Sequence, residues 1–324
     1  MSNEWVAGVD LGGTSLLAVV ADARGKIVGE HGMATLRDEG PAKIIEQIAE
    51  AVSTAAAAAK ISVKDLGGVG IGACGAVDPT SGVVHVAPNL GWKDVPLADK
   101  LGKKLGVPIF VENDVHVAVL GEHGYGAAQG ARLAVGIWVG TGIGGGIISE
   151  GKLFRGARGS AGEVGHTVVL ADGPPCSCGR RGCVEALASR TSMERDLRQA
   201  AKAGRKTKVL KRMEKKGKDR MTSSVVEWGL DEGDTLMEEI VHRAQHYLGL
   251  LASNLVNTLD PEVVVVGGGL SERMGDRFVK PIRRVARSHF LNQHDLENVR
   301  IVPSALGAYS GALGACVLVR SAAG

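Results

Sequence analysis

The sequence has 324 residues, and 38 Lys and Arg against 35 Asp and Glu give a formal net charge of +3. A content of 44% hydrophobic and 23% charged residues excludes a disordered chain, and the 47 glycines follow no three-residue period, which excludes a collagen-like chain. The near-neutral charge excludes a nucleic-acid footprint over the whole surface. With only 4 Trp, 3 Tyr and 4 Phe, we expect a bound sugar or base to be held mainly by hydrogen bonds.

The N-terminus shows no basic region followed by an apolar core, as a secretory signal would. No run approaches the roughly 18 apolar residues that are typical of a membrane-spanning helix. We therefore expect a cytoplasmic protein with no membrane partner.

Apolar runs and helical patterns alternate along the chain. They predict strands at 5–9, 16–21, 69–73, 109–111, 133–139, 147–148, 263–266 and 299–302, and helices at 41–59, 114–120, 238–259 and 306–319. The motif of strand, Gly/Thr turn and strand occurs in both halves. This alternation predicts an α/β fold with a largely parallel sheet in each half.

Three glycine-rich turns follow apolar strands, at 10–14, 140–146 and 267–269. Backbone N–H groups of such turns can converge on an anion, because no Cβ blocks the approach. A single turn of this kind is more typical of a tight β-turn, but three of them favour a nucleotide site. None has the Gly-Lys-Ser/Thr of a P-loop, and a strand rather than a helix follows Gly12-Gly13, unlike a Rossmann fingerprint.

A metal site is predicted around three clustered cysteines, Cys176, Cys178 and Cys183, with His166 as the fourth ligand. In a reducing compartment this spacing favours metal over disulfide. Four N/S ligands form a closed tetrahedral zinc site of the structural type. The alternative is a group of loose surface thiols.

An acidic triplet, Glu112-Asn113-Asp114, follows the strand at 109–111. Asp114 fits a general base that deprotonates a hydroxyl, with Asn113 fixing another hydroxyl of the same ligand. It equally fits the N-cap of the helix that follows.

A basic segment, Lys202–Arg220, holds ten basic and two acidic residues and leaves the rest of the chain acidic. A nucleic-acid arm is one interpretation. We favour a solvated helical insert, because the segment has no aromatic residue and no binding motif, and we expect no nucleic-acid partner.

Taken together, these motifs resemble the ROK family of sugar kinases and repressors, and they occur in the family's order along almost the whole chain. The matching segments are 10–14, 112–114, 140–146, 162–166, 176–185 and 267–269. The resemblance implies an actin-like (RNase H-like) two-domain sugar kinase fold with the active site in the cleft and a structural zinc module at 166–185. It implies a small domain of residues 1–115 plus 303–324, a large domain of residues 116–302, and a homodimer or homotetramer.

The resemblance also implies the site residues of a kinase that moves the γ-phosphate of ATP to the 6-hydroxyl of glucose. Asp114 would be the catalytic base. The other sugar contacts would be Asn89, Asn113, Glu163, His166 and Glu185. The residues facing ATP and Mg²⁺ would be Asp10, Gly12, Gly13, Thr14, Gly140, Thr141, Gly142, Gly268 and Gly269. His166 would bind zinc through one ring nitrogen and face the sugar with the other.

Two segments depart from the family pattern: Ala73–Asp78 lacks both usual prolines and carries Cys74, and His116 replaces a common Asn. The segment Ala87–Trp92 resembles glucokinases most. N-acetylhexosamine, mannose and fructose kinases are alternatives, and the basic segment keeps polyphosphate as an alternative donor. A sugar-responsive repressor is disfavoured, because the first predicted strand begins at Trp5, where a repressor carries a DNA-binding domain. A non-catalytic sugar-binding regulator is disfavoured, because Asp114 and all three glycine turns are intact.

Overall fold

The computed structural model describes residues 4–294 and 297–323. The chain forms two units, residues 1–130 with 308–324 (unit 1) and residues 131–307 (unit 2). The sequence-based division at residues 115 and 302 differs from this. Unit 1 includes the whole helix that begins at Asp114, because that helix packs on the C-terminal helix.

The secondary structure alternates as expected for an α/β chain. The strands are β1 (Val6–Leu11), β2 (Ser15–Ala21), β3 (Ile27–Ala34), β4 (Val69–Ala73), β5 (Ala76–Asp78), β6 (Val83–Ala87), β7 (Trp92–Pro96), β8 (Ile109–Asn113), β9 (Leu133–Val139), β10 (Ile143–Ser149), β11 (Lys152–Leu153), β12 (Val263–Gly267) and β13 (Arg300–Pro303). The helices are α1 (Gly40–Ala58), α2 (Leu97–Leu105), α3 (Asp114–Tyr125), α4 (Val184–Ala188), α5 (Arg190–Lys202), α6 (Val209–Lys215), α7 (Ser223–Asp231), α8 (Thr235–Leu259), α9 (Gly269–Met274), α10 (Asp276–Arg287) and α11 (Ser310–Ala323).

Each unit contains a five-stranded sheet of the same topology. In unit 1 the order is β3-β2-β1-β4-β8, and in unit 2 it is β11-β10-β9-β12-β13. In both, the first three strands of the order pair antiparallel and the last three pair parallel. The repeated strand–turn–strand motif of the sequence thus corresponds to the equivalent hairpins β1–β2 and β9–β10.

In unit 1 the C-terminal helix α11 packs tightly on the sheet. Side chains at Gly8 and Gly70 would collide with the backbone carbonyls of Ala312 and Ala315. Glycine on β1 and β4 therefore lets the helix backbone approach the sheet directly, and α11 also packs on α3. The sequence predicts the start of this helix at Leu306, but it begins at Ser310, after a 3-10 turn.

In unit 2 a buried apolar core lies between the sheet and helices that include the long α8. Asp234 caps α8 by accepting a hydrogen bond from Met237 N at 3.0 Å, so the helix begins at Thr235, three residues before the predicted Glu238. The basic segment contains α6, whose Val209 and Met213 are buried in this core while its lysines stay exposed. Among the described residues, no helix is both long and apolar enough to cross a membrane.

Candidate active site

Polar residues gather at the carboxyl ends of three neighbouring strands of unit 1. β1, β4 and β8 are parallel, and their register aligns Asp10 with Gly72 and Gly72 with Glu112. Open α/β sheets bind ligands at this edge. The N-terminal end of α11 also reaches it, since a methyl group on Gly311 would come within 2.7 Å of the Asp10 carboxylate.

Asp114 occupies the first position of α3, directly after β8. The helix cap is Asn113, whose Oδ1 accepts hydrogen bonds from Val115 N at 2.9 Å and His116 N at 3.2 Å. The alternative in which Asp114 is the N-cap is therefore wrong. Burial raises the pKa of the Asp114 carboxyl, while the backbone N–H of Val115 and nearby His116 act to lower it. A partly buried carboxyl with a raised pKa has the properties of a general base.

Asn113 has most of its amide committed within the fold. Besides its two cap bonds, its Nδ2 donates to Gly75 O at 3.1 Å. A side-chain hydrogen bond from Asn113 also acts to lower the pKa of the Asp114 carboxyl, so this amide ties the turn after β4, β8 and the start of α3 together.

The first glycine turn joins β1 to β2 and lies against Asn89. A Cβ at Gly13 would come within 2.9 Å of the Asn89 Cβ, so only glycine fits there. Gly12 N donates to Ser15 O at 3.0 Å, and Thr35 Oγ1 donates to Gly12 O at 2.8 Å. Thr14 and Asn89 are exposed, with their polar atoms available to a ligand.

Both departures from the family pattern lie beside Asp114. Burial, followed by the charge of Asp114, raises the pKa of the Cys74 thiol to about 12, so this thiol stays protonated at neutral pH. His116 is buried and its Nδ1 lies 3.1 Å from Oε1 of buried Glu112. The same Oε1 accepts from Asn113 N at 3.0 Å, so this pair braces the backbone on which Asp114 sits.

In unit 2 the turn between β9 and β10 is tied to Glu185. The Oε2 of Glu185 accepts from Ile143 N at 2.9 Å, and a side chain at Gly142 would collide with this carboxylate. The Oε1 of Glu185 lies 3.3 Å from Ser177 Oγ and 3.8 Å from Cys176 Sγ. One carboxylate therefore connects the glycine turn to the cysteine cluster.

The third glycine turn joins β12 to α9. Gly268 has a φ of 85°, and a Cβ there would collide with the backbone of Val139. Gly267 aligns with Trp138 in the parallel pairing of β12 and β9. The second and third turns therefore lie at the same edge of the unit 2 sheet.

Arg190, which sequence reasoning missed, links these two turns. Its Nη2 donates to Thr141 Oγ1 at 2.9 Å and its Nη1 to Ser223 Oγ at 3.4 Å, and Ser223 lies against Gly269. Burial and repulsion from Arg220 lower the pKa of Arg190, but a guanidinium stays charged at neutral pH. The charge of Glu194 acts in the opposite direction on this pKa, but among the described residues no carboxylate lies within ion-pair distance of Arg190, and its guanidinium can contribute to binding an anion.

The predicted metal ligands come together in unit 2. The ligand atoms of His166, Cys176, Cys178 and Cys183 all lie within 4.8 Å of one another. The Cys176 Sγ is 3.6 Å from His166 Nδ1, and the Cys178 Sγ is 3.7 Å from Cys183 Sγ. All five cysteines are free thiols. The backbone N–H of Arg180 lowers the pKa of Cys178 to about 6, which favours a thiolate at this corner.

The geometry of the cluster leaves one ring nitrogen of His166 free. Because Nδ1 faces the cysteines, Nε2 is available to a ligand on the other side of the ring. Glu163 is exposed and directly precedes the 3-10 turn Val164–His166. Unit 2 thus brings together the turn at 140–142, Glu185 and His166, and unit 1 brings together Asp10, the turn at 12–14, Asn89 and Asp114.

Comparison with known proteins identifies the family. The model of the ROK family matches residues 6–322. A glucokinase of Halalkalibacterium halodurans is 36% identical over 322 residues, covering 99% of this chain and 96% of the relative. The structure of a Streptomyces griseus ROK family glucokinase in complex with glucose and AMPPNP has a TM-score of 0.82 and 33% identity, covering 98% of this chain and 99% of the other. The ROK hexokinase of Thermus thermophilus gives the same TM-score and identity, covering 99% of this chain and 100% of the other. The chain therefore belongs to the ROK family and has its actin-like α/β fold.

Proposed function

We propose that the protein is an ATP-dependent hexokinase that phosphorylates glucose at its 6-hydroxyl, with Asp114 as the general base. The observation that carries this proposal is the position of Asp114. This partly buried carboxyl with a raised pKa lies at the carboxyl end of β8, on the same sheet edge as Asp10 and the first glycine turn. Similarity to a glucokinase crystallised with glucose and AMPPNP supports the choice of sugar and donor.

In the proposed reaction the 6-oxygen of glucose forms a bond to the γ-phosphorus, and the bond from that phosphorus to the bridging oxygen of ADP breaks. The hydroxyl proton moves to a carboxylate oxygen of Asp114. Burial favours this role, because it brings the pKa of the base closer to neutral pH. The Asn113 cap and the Glu112–His116 pair hold the backbone of Asp114 in place.

Phosphoryl transfer depends mainly on positioning and on neutralising charge. We assign phosphate contacts to the backbone N–H groups of the three turns, through Gly12, Gly13, Thr14, Gly140, Thr141, Gly142, Gly268 and Gly269. Arg190 joins this set, because its partly buried guanidinium connects two of the turns.

The residues of unit 1 fit a magnesium ion bound together with ATP. Mg²⁺ is typically held by one or two carboxylates plus substrate phosphates, and Asp10 offers a carboxylate next to the first glycine turn. When bound, the ion would supply charge neutralisation at the phosphates.

The cysteine cluster fits a closed zinc site. Tetrahedral zinc with Zn–S bonds of about 2.3 Å and Zn–N bonds of about 2.1 Å would place two sulfurs about 3.8 Å apart and a sulfur and a nitrogen about 3.6 Å apart. The Cys178–Cys183 and Cys176–His166 separations, 3.7 and 3.6 Å, match these edges. Zinc would fix the ring of His166 so that Nε2 can contact the sugar.

The remaining sugar contacts are proposed for Asn89, Asn113, Glu163 and Glu185. Glucose is preferred over mannose, fructose and N-acetylhexosamines, and ATP over polyphosphate, because the relatives compared above are glucokinases and a hexokinase. The homodimer or homotetramer and the cytoplasmic location stay predictions. Light scattering of the purified protein would test the first and fractionation of the source cells the second.

The decisive experiment is a coupled assay over a panel of hexoses with ATP and with polyphosphate, on the wild type, Asp114→Asn and the control Asp65→Asn. Asp65 is exposed in a 3-10 turn of unit 1, and its substitution by Asn removes the same negative charge as Asp114→Asn does. We expect Asp114→Asn to lower kcat about 10²- to 10⁴-fold, the range for a lost general base, and Asp65→Asn to keep full activity. Unchanged turnover of Asp114→Asn would disprove the assignment of the base, and no turnover of any hexose by the wild type would disprove the function.

A further inference from the structure

A cavity of about 930 Å³ lies in unit 2, away from the glycine turns. It is formed by the end of α5, by α6, by the end of α7 and by the start of α8, and it shares no residue with the three turns. Six cationic side chains of the basic segment line it, namely Arg205, Lys206, Lys208, Lys211, Arg212 and Lys215. The basic segment is therefore folded around a concave surface.

Half of these cations already have partners. Arg205 pairs with Glu239 at 2.8 Å, Lys208 lies 3.9 Å from Glu232, and Arg212 stacks over the Trp228 ring at 4.8 Å from its centroid. Within the described part of the chain, no carboxylate lies within ion-pair distance of the other three, Lys206, Lys211 and Lys215. Three exposed lysines that no carboxylate among the described residues pairs with thus line the cavity.

The acid that lines the cavity, Asp234, does not neutralise these lysines. Burial alone would raise its pKa, but hydrogen bonds from the backbone and from Thr207 hold the pKa below its usual value, so Asp234 is an anion. It accepts from Thr207 Oγ1 at 2.8 Å, Lys208 N at 2.6 Å and Met237 N at 3.0 Å. The Asp234 carboxylate therefore holds Thr207 and Lys208 of the cavity wall by hydrogen bonds and caps α8.

The size and charge of the cavity indicate the ligand. Its volume lies in the range of about 300–1,000 Å³ that small-molecule sites occupy, and it is much larger than a single phosphate needs. Lysine ammonium groups are compact charges suited to phosphate oxygens, and Trp228 with Arg212 gives one flat wall. We propose that this pocket binds a small phosphorylated anion that carries several negative charges, at a site separate from the proposed site of phosphoryl transfer.

A pair of double variants tests this proposal. Lys206→Ala/Lys211→Ala removes two charges from the cavity wall, and Lys202→Ala/Lys216→Ala removes two exposed charges of the same basic segment that do not line it. Binding of tripolyphosphate is measured by calorimetry on the full chain at low salt. We expect about tenfold weaker binding in the first variant, or ~1.4 kcal/mol, and wild-type affinity in the second.

Fluorescence locates the bound anion, since Trp228 borders the cavity and Trp138 packs on Gly267 beside the third turn. We expect tripolyphosphate to change the emission of the wild type and of Trp138→Phe but not that of Trp228→Phe. A signal that is lost in Trp138→Phe and kept in Trp228→Phe would place the anion at the turn and overturn the proposal.

Further arms with ADP and with glucose 6-phosphate identify the source of the phosphate. Of these probes, the one that binds the wild type most tightly and also binds Lys206→Ala/Lys211→Ala more weakly defines the class of ligand. Equal weakening in both double variants would mean attraction to surface charge alone, as for an oligonucleotide, and would overturn the proposal. Undetectable binding of all three probes to the wild type would overturn it as well.

Discussion

Substitution of Asn113 tests how strongly the cap of α3 stabilises the backbone that holds Asp114. In Asn113→Ala the amides of Val115 and His116 lose their cap and Gly75 O loses its donor. Loss of an N-cap costs about 1 kcal/mol, and leaving the carbonyl without its donor costs about 1 kcal/mol more. We expect unit 1 to lose ~2 kcal/mol of unfolding free energy, which lowers its Tm by about 4–8 °C.

The assay follows tryptophan fluorescence in a Trp138→Phe/Trp228→Phe background. There the emission comes from Trp5 and Trp92, both in unit 1, and Trp92 is buried. Asn113→Ser is the control, because serine is also a good N-cap, and it should recover about 1 kcal/mol. If Asn113→Ala melts within about 1 °C of the parent, the cap does not hold this turn and the reasoning is refuted.

Three further predictions concern pH, the phosphate contacts and the metal. A general base acts in its unprotonated form, and burial raises the pKa of Asp114 above its ordinary value of 3.8. We therefore expect log kcat/KM to fall with unit slope as the pH drops through this raised pKa, and to do so in Cys74→Ala as well. A flat profile down to pH 4 would contradict this. Arg190→Met should raise the KM for ATP about tenfold, which corresponds to ~1.4 kcal/mol of lost binding free energy. The control Arg284→Met, on an exposed face of α10, should have wild-type steady-state kinetics. Metal analysis should find about one zinc per chain, and Cys178→Ser should bind less; a metal-free preparation that is folded and active would exclude a structural zinc.

The sequence was informative wherever a feature is built from residues close together in the chain. The glycine turns, the strand ending at Asn113 and the ligand set from His166 to Cys183 all depend on spacings of at most seventeen residues, and strands 69–73 and 133–139 match β4 and β9 in full.

Features that depend on distant contacts could not be predicted in this way. Arg190 meets Thr141 across 49 residues and Ser223 across 33, and nothing near Arg190 in the sequence marks it. The small sheet β5-β6-β7 was also missed, because its strands are short and only partly buried. The Glu112–His116 pair has helical spacing, but only the fold shows that both side chains are buried.

The arrangement of α11 in unit 1 has a consequence for synthesis on the ribosome. Unit 2 is one continuous segment, whereas unit 1 is completed only by residues from 308 onward, whose helix covers β1 and β4. Domains generally fold during translation from the N-terminus onward. Here, however, one face of the N-terminal sheet stays uncovered until the whole of unit 2 and then α11 have been synthesised. Unit 1, which carries Asp114, is therefore the last part of the chain to become native. Premature termination between residue 307 and α11 leaves unit 1 without the helix that covers its sheet, while unit 2 with the cysteine cluster is complete.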